Sequence, residues 1–286
     1  MKMPSPAQKK NPLGNIKRPI RRFKNDTVRE KEDFIAIEEP LEVMASYDEG
    51  GNLKKETISI TMRTPGDDEE LASGFFYAEG LIGNRDDIVD IEVTNVLSNA
   101  VTVKLKDDRL LREQNWERRT LTNSSCGVCG KGSIDFVGER GVFIHRPGIP
   151  EFHSEKLFGL VDTLQNAQTN FDFTGGVHAA LLFDMKGKVV AIREDVGRHN
   201  AMDKLIGWAV LNDHLPLKDY GVLLSGRSSF ELMQKAHMAG ISIVISVGAP
   251  SSLAIELAEE TGQTLAGFIK GRKFNIYNDQ GRLHFD

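Results

Sequence analysis

The stretch YGVLLSGRSSFELMQKAHMAGISIVISVGAPSSLAIELAEETG, residues 220–262, shows one pattern twice: a short apolar run, a loop with glycine and serine, and an amphipathic segment. Short apolar runs that alternate with helical periodicity are typical of parallel strands covered by helices. Right-handed crossovers bring the C-terminal ends of such strands to one edge of the sheet. The stretch therefore predicts an α/β fold with both serine-containing loops on that edge.

The same alternation continues on both sides of this stretch. Apolar runs at 177–184 and 189–195 flank the turn MKGK and predict a hairpin, and RHNAMDKLIGWAVLND at 198–213 predicts a helix. TLAGFIK at 264–270 predicts a further strand, and HSEKLFGLVDTLQNAQTNF at 153–171 predicts an amphipathic helix. Together these segments predict a mixed sheet with helices on both faces.

The N-terminal third has a different pattern, which predicts strands. FIAIEEPLEVMASY at 34–47 is rich in apolar residues, and ETISITMRT at 56–64 alternates apolar and polar residues. Two more apolar runs within 87–106 are joined at residues 98–99 and predict a hairpin. We therefore expect a β-rich layer in this part of the chain.

One helix is predicted within this layer, over residues 68–79. Asp67 and Glu70 have the spacing of a capping box, and acidic residues fill the first turn. Gly80 stands where a helix-terminating glycine belongs.

Charge is distributed unevenly along the chain. The net charge is −5, but the first 25 residues hold eight lysines and arginines and no acid, which leaves −13 for the rest. The basic segment has two interpretations: a solvated, disordered tail, or an arm that contacts an acidic partner. The acidic remainder argues against a nucleic-acid groove, and no run of about 18 apolar residues exists to span a membrane.

These patterns predict three regions. Residues 1–30 are expected to form a disordered basic tail and residues 31–120 a β-rich N-terminal subdomain. Residues 121–286 are expected to form an α/β core that carries a cysteine loop at 122–132. Only two cysteines occur in 286 residues, which fits a reducing cytoplasm better than a disulfide scaffold.

Three loops of the α/β core are candidates for binding an anion. EDVGRHN (194–200), SGRSS (225–229) and SVGAPSS (246–252) each follow a predicted strand and open a predicted helix. Main-chain amides at a helix start favour an anion, and arginine suits phosphate. Capping alone would explain any single loop, but three together favour a phosphate-bearing ligand. The candidate binding residues here are Arg198, His199, Ser225, Gly226 and Arg227.

A fourth basic element, FIKGRK at 268–273, follows the last predicted core strand. A solvated hairpin turn explains its composition equally well. Its position would let it reach the same edge of the sheet as the three loops.

The two cysteines lie in TNSSCGVCGKG, residues 122–132, with the spacing C-x-x-C. Structural zinc needs four ligands, and the nearest histidine, His145, lies sixteen residues after Cys129. A zinc deaminase would have a histidine upstream and a proline before the first cysteine, and both are missing here.

The remaining explanations for the cysteines are a redox pair, buried packing or an exposed thiol. Neighbouring glycines and polar residues favour a flexible, exposed loop over a buried one or a helix start. Nearby Arg118, Arg119 and Lys131 would increase the thiolate fraction of Cys126 or Cys129. A thiolate can carry sulfur as a persulfide, which this local chemistry permits without requiring it.

Together these motifs resemble those of the FdhD family of formate dehydrogenase accessory proteins. The similar segments are EEPLEV, RTPGDDEELASGFFYAEGLI, RRTLTNSSCGVCG, TGGVHAA, REDVGRHNAMDKLIG, SGRSSFELMQKA and SVGAPSSLAIELA. They cover nearly the whole chain except its first 30 or so residues. The combination of SSCGVCG with EDVGRHNA is specific to this family.

The resemblance implies a fold similar to cytidine deaminase without its catalytic metal. It also implies a sulfurtransferase that takes sulfane sulfur from a cysteine desulfurase and passes it to the molybdenum of bis-molybdopterin guanine dinucleotide, for formate dehydrogenase. The family's persulfide-bearing cysteine matches Cys126, with Cys129 as an auxiliary thiol. Its cofactor-binding stretch matches Phe268, Ile269, Lys270, Gly271, Arg272 and Lys273.

From the residues and the resemblance together we expect a cytoplasmic homodimer that binds a two-nucleotide ligand and has no metal of its own. Two other functions remain open at this point. One is a cofactor chaperone without chemistry, and the other is a zinc hydrolase of the deaminase type.

Overall fold

A computed structural model describes residues 14–94, 99–113, 143, 145–167, 170 and 174–285. Cys126, Cys129 and the whole predicted loop 122–132 lie outside the described residues. The predictions made for them therefore stay predictions.

The described chain contains fourteen strands and six α-helices. The strands are β1 (Asn15–Lys24), β2 (Thr27–Ala36), β3 (Glu39–Glu49), β4 (Asn52–Arg63), β5 (Ile88–Thr94), β6 (Ala100–Leu105), β7 (Phe152–His153), β8 (His178–Asp184), β9 (Val189–Asp195), β10 (Tyr220–Leu224), β11 (Ile243–Ser246), β12 (Thr264–Lys270), β13 (Lys273–Asn278) and β14 (Leu283–His284). The helices are α1 (Asp68–Ala78), α2 (Arg109–Glu113), α3 (Lys156–Ala167), α4 (Arg198–Leu211), α5 (Phe230–Met238) and α6 (Ser252–Thr261).

A six-stranded mixed sheet, in the order β13-β12-β11-β10-β8-β9, forms the centre of the C-terminal half. β10, β11 and β12 are parallel, and β8 is antiparallel to both of its neighbours, so β9 runs in the same direction as β10. The predicted mixed sheet is therefore confirmed. Four strands end at one edge, and we call this edge, with the loops 194–200, 225–229 and 246–252, the rim.

Helices cover both faces of this sheet, as predicted. α3 packs on one face, where Leu223 joins Leu157 and Leu160 in one hydrophobic cluster. Val222, next along the same strand, belongs to a second cluster that includes side chains of α4, α5 and α6. Because neighbouring strand residues point to opposite faces, a continuously apolar strand can serve both clusters.

The N-terminal layer is a four-stranded sheet in the order β4-β3-β6-β5 with α1 packed against it. The predicted strand 34–47 is in fact two elements, because β2 ends at Ala36 and β3 begins at Glu39. A proline follows Glu39, and the two strands belong to different sheets. The hairpin predicted within 87–106 is confirmed by the antiparallel pairing of β5 and β6.

The predicted helix over 68–79 is confirmed, but its predicted capping box is wrong. Asp67 has a left-handed backbone and makes no side-chain capping hydrogen bond. The carboxylate of Glu70 instead forms an ion pair with Arg193 on β9. The guanidinium of Arg193, in the neighbouring layer, therefore binds the Glu70 carboxylate that a capping box would need as its hydrogen-bond acceptor. Gly80 has φ 68°, as a helix-terminating glycine should.

The basic N-terminal segment is ordered from Asn15 onward, so the expectation of a disordered tail through residue 30 is wrong there. β1 and β2 pair as an antiparallel hairpin in which Lys17 meets Glu32 and Arg22 meets Asp33, each at 3.2 Å. The composition of the first 25 residues concealed these acids, since they lie in the returning strand. Opposite charges across a strand pair stabilise it modestly.

The two halves of the molecule meet where α1 crosses α4. A Cβ atom added to Gly207 would overlap the carbonyl oxygen of Glu70, and one added to Gly74 would overlap that of Asp203. The helix backbones can approach this closely only because both positions lack a side chain. This crossing joins the β-rich layer to the α/β core in one hydrophobic cluster.

We expect the substitution Gly207→Ala to lower the free energy of unfolding by about 3 kcal/mol, because the added methyl group forces the two helices apart. The matched control is Gly159→Ala in α3, where an added Cβ meets nothing within 4 Å. That variant should gain up to about 1 kcal/mol from helix propensity. Urea unfolding measures both, and equal midpoints would contradict the close crossing.

Candidate functional site

The rim is built from loops that hydrogen bond to one another. The amide of Gly248 donates to the carbonyl of Gly226 at 2.9 Å, and the amide of Phe268 donates to the carbonyl of Gly248 at 3.1 Å. A Cβ on Gly248 would lie 2.8 Å from the Gly226 oxygen, so this spacing requires glycine. The structure therefore brings together the loops that the sequence predicted to share an edge.

A buried carboxylate holds the first of these loops. One oxygen of Asp195 accepts from the amide of Gly197 at 2.8 Å and from the side chain of Asn200 at 3.2 Å. The other accepts from the amide of Thr64 at 3.1 Å and lies 2.8 Å from the ammonium of Lys204. Asp195 therefore links the end of β4 to the start of α4. Sequence patterns did not reveal this link, because its partners lie far apart along the chain.

The start of α4 carries positive charge where a helix favours negative charge. Arg198 is the first residue of α4, and the first turn contains no acidic residue. The Nε atom of Arg198 is buried without a hydrogen-bond partner among the described residues. Ser228, 0% exposed, likewise has an unpartnered hydroxyl group. An anion at this position would compensate both the helix dipole and the guanidinium.

His199 lies between the starts of α4 and α5. Its Nε2 atom is 3.3 Å from the hydroxyl of Ser229 and 3.8 Å from the carboxylate of Glu231. Burial, reinforced by Arg198 and Lys235, lowers the pKa of His199 to about 4. The ring is therefore neutral near pH 7, with one nitrogen able to donate a hydrogen bond and the other able to accept one.

Two other candidate residues differ in what their side chains can offer. The hydroxyl of Ser225 already accepts from the amide of Ala179 at 2.8 Å, so it holds β8 against the rim. Arg227 is exposed and free to turn toward a ligand, since no hydrogen bond or ion pair occupies it within the described chain.

The segment 268–273 extends past the rim, since Ala266 is the last residue of β12 that pairs with β11. Its basic side chains are exposed: Lys270, Arg272 and Lys273. Phe268 is 49% exposed and has φ 55°, a strained value for an aromatic residue. The side chain of Ile269 is 1% exposed and lies in the hydrophobic core, so its predicted binding role stays a prediction for its main-chain atoms alone.

The chain on either side of the undescribed residues 114–142 meets the fold at the end opposite to the rim. Phe143 lies against Gly240, which precedes β11, and its ring is 4.9 Å from the ammonium of Lys218. Before the gap, Arg112 lies 3.2 Å from Glu49, the last residue of β3. β3 begins near the rim, where Glu39 lies 3.4 Å from Arg63.

This far end contains an unusual set of buried basic groups. His145 and His237 lie 3.0 Å apart between Nε2 and Nδ1, and burial lowers the pKa of each, to about 3 and about 4 respectively. Arg282 is 0% exposed and donates to three carbonyl oxygens: those of Arg146, Ile149 and Gly262. These contacts anchor the chain that follows the cysteines.

Within the described ranges, no group of three or more histidine, cysteine, aspartate or glutamate side chains could hold a metal ion. In the same part of the chain, no helix combines the length and the apolar character needed to cross a membrane.

Comparison with known proteins places these features in a family context. The sequence profile of the FdhD/NarQ family matches residues 37–284. The chain is 43% identical over 277 residues to the sulfur carrier protein FdhD of Streptomyces avermitilis, covering 93% of this chain and 95% of that protein. It is 40% identical to the protein of the same name from Mycobacterium tuberculosis, over 93% and 97% of the two chains.

The similarity extends to an archaeal protein and to a solved structure. The sulfur carrier protein FdhD of Saccharolobus solfataricus is 39% identical, over 92% of this chain and 96% of its own. A crystal structure of a candidate formate dehydrogenase accessory protein from Desulfotalea psychrophila superimposes with a TM-score of 0.72. It covers 95% of this chain and all of the other at 22% identity, which supports the fold.

Replacing Lys204 by methionine should destabilise the protein by about 3–5 kcal/mol, because Asp195 keeps a buried charge without its counter-ion. The matched control is Lys54→Met, which removes an exposed ion pair to Glu49 of similar length, 2.9 Å. The control should cost at most about 1 kcal/mol. Thermal or urea unfolding compares the two, and similar losses would disprove the special role of the buried pair.

Proposed function

This chain belongs to the FdhD/NarQ family, and we propose on that premise that it is a sulfur carrier protein that serves a formate dehydrogenase. Its sulfur comes from a cysteine desulfurase and passes to the molybdenum of bis-molybdopterin guanine dinucleotide. The name shared by its relatives supports sulfur carriage, and the rim supports the binding of a nucleotide.

The carrier in this proposal is Cys126. Its thiolate attacks the terminal sulfur of the desulfurase persulfide, so that a sulfur–sulfur bond forms at Cys126. The corresponding bond on the desulfurase breaks, and that enzyme's cysteine leaves as a thiolate. In delivery, the outer sulfur atom would form a bond to molybdenum as the sulfur–sulfur bond breaks and Cys126 leaves as a thiolate. The two electrons that reduce this sulfur to sulfide would come from the molybdenum that accepts it. Cys129 serves as an auxiliary thiol.

The observation that carries the cofactor part of the proposal is a pair of buried polar groups on the rim that have no hydrogen-bond partner among the described residues. One is the Nε atom of Arg198, at the N-terminus of α4, and the other is the hydroxyl of Ser228 in the second rim loop. The oxygens of the pyrophosphate of a guanine dinucleotide can accept hydrogen bonds from these groups, and its negative charge suits a helix N-terminus. Lys270 and Arg272 add exposed cations, although the guanidinium of Arg272 also lies 5.3 Å from the ring centroid of Phe158. The exposed ring of Phe268 offers a stacking surface for guanine.

The anchors of the cysteine segment at the far end are compatible with this proposal. Phe143 lies seventeen positions after Cys126, and a chain of that length can reach at most about 56–61 Å. The five residues of β10 span roughly 17 Å, so the sheet is much shorter than that reach. A cysteine carried on a segment of this length can therefore reach the desulfurase at one place and the cofactor at another. A homodimer would present two such rims to the two nucleotides of the cofactor.

The variant Cys126→Ala should lose the ability to accept sulfur. Incubation with a cysteine desulfurase and cysteine, followed by intact-mass measurement, should show one added sulfur atom on the wild-type chain and none on the variant. Cys129→Ala is the matched control and should keep the added sulfur. Equal labelling of wild type and Cys126→Ala would exclude Cys126 as the carrier, and full dehydrogenase activation without either thiol would favour a chaperone without chemistry.

The double variant Arg227→Ala/Lys270→Ala should bind guanosine diphosphate at least about tenfold more weakly, since each charged hydrogen bond contributes about 1.5–3 kcal/mol. Lys186→Ala is the control, because Lys186 lies in the β8–β9 turn at the other end of the sheet. Isothermal titration calorimetry measures all three proteins. Unchanged affinity in the double variant would remove these two residues from the nucleotide site.

A further inference from the structure

His178 is a residue of the rim to which neither the sequence patterns nor the proposed function gives a role. It is the first residue of β8, half-buried, with its ring packed against Gly226 of the second rim loop. A Cβ on Gly226 would lie 3.0 Å from the Nδ1 atom of His178, so the ring occupies space that only glycine leaves free. Neither ring nitrogen is hydrogen bonded to any described residue.

Three charged groups act on His178, and two of them are positive. Those that act on it are Asp195 at the end of β9, Arg198 on α4 and Arg227 in the loop before α5. His199 on α4 is close enough for His178 to lower its pKa, and Glu231 and Lys235 on α5 also act on that pKa. The single acid that acts directly on His178, Asp195, already uses both carboxylate oxygens within the fold.

We propose that His178 is a ligand-binding residue of the rim, which takes up a proton when a pyrophosphate group binds between Arg198 and Arg227. The site it completes is therefore specific for an anion with delocalised charge, such as a nucleoside diphosphate ester. The proposal rests on the nucleotide-binding part of the proposed function. It extends that function by naming His178 as a binding residue and by coupling nucleotide binding to proton uptake.

The physical reason is a change in the sign of the local potential. In the empty site, burial and then Arg198 and Arg227 lower the pKa of His178 from its ordinary 6.5, so the ring is neutral near pH 7. A bound pyrophosphate brings negative charge within a few ångströms of the ring and favours its charged form. The free ring nitrogens can then donate to phosphate oxygens, as neutral imidazole can with one nitrogen only.

The sign of the pH dependence follows from this change. The complex holds more protons than the free protein at pH values between the lowered pKa of the free ring and the raised pKa of the bound ring. Affinity therefore increases as the pH falls through the raised value, and it stops increasing below the lowered one. One coupled proton changes the dissociation constant by up to about tenfold per pH unit in that window.

The test uses GDP-mannose, whose pyrophosphate is esterified at both ends, as in the dinucleotide, and does not titrate near neutral pH. Calorimetry of the full chain in buffers of different ionisation enthalpy, from about pH 6 to pH 8, measures the protons exchanged on binding. Wild type should take up protons near pH 6.5, and His178→Gln should bind with little or no uptake. His199→Gln tests the second rim histidine separately, and His214→Gln, which lies beyond the C-terminal end of α4, is the control and should keep all of the uptake.

Different failures lead to different conclusions. If wild type does not bind GDP-mannose at any pH, both the proposed nucleotide site and the role of His178 are overturned. If it binds without proton uptake, or if His199→Gln rather than His178→Gln abolishes the uptake, only the role of His178 is overturned. A nuclear magnetic resonance titration of the wild-type imidazole signals provides a second measurement, in which the pKa of His178 should rise on adding GDP-mannose.

Discussion

The buried ion pair of Asp195 and Lys204 is the interaction on which the candidate site depends. Both side chains are almost completely inaccessible, and Asp195 also accepts main-chain hydrogen bonds from both halves of the molecule. A charge buried in this way costs much free energy unless every partner is in place. This requirement fixes the first rim loop relative to the end of β4 and the start of α4. The side chains of that loop are therefore held in fixed positions.

Around this neutralised pair the rim keeps an excess of positive charge. Arg198 stands against the dipole of its own helix, and the two neighbouring histidines are neutral because burial and arginine disfavour their charged forms. A protein tolerates such an arrangement when a ligand removes the repulsion. The packed core supplies the geometry, and the exposed basic turn at 270–273 supplies further positive charge. This division suits a large anionic cofactor that must be held and then released.

Local sequence predicted the elements well and their interactions poorly. The mixed sheet, helix 68–79 and the gathering of three loops on one edge follow from apolar periodicity and the handedness of crossovers, which are local or general rules. The capping box at Asp67 failed because Arg193, far along the chain, attracts Glu70. The disordered tail failed for the same reason, since the acids that pair with β1 lie in the returning strand.

The sequence by itself determined the fold class, the candidate rim loops and, through the motifs around Cys126 and EDVGRHN, the family. These depend on which residue types stand where along the chain. Only the tertiary structure decided that Ile269 faces the core, that Ser225 is engaged within the fold, and that Arg198 and Arg227 lie near enough to His178 to lower its pKa. Burial, close approach of backbones and electrostatic environment arise from residues distant in sequence, so no local pattern contains them.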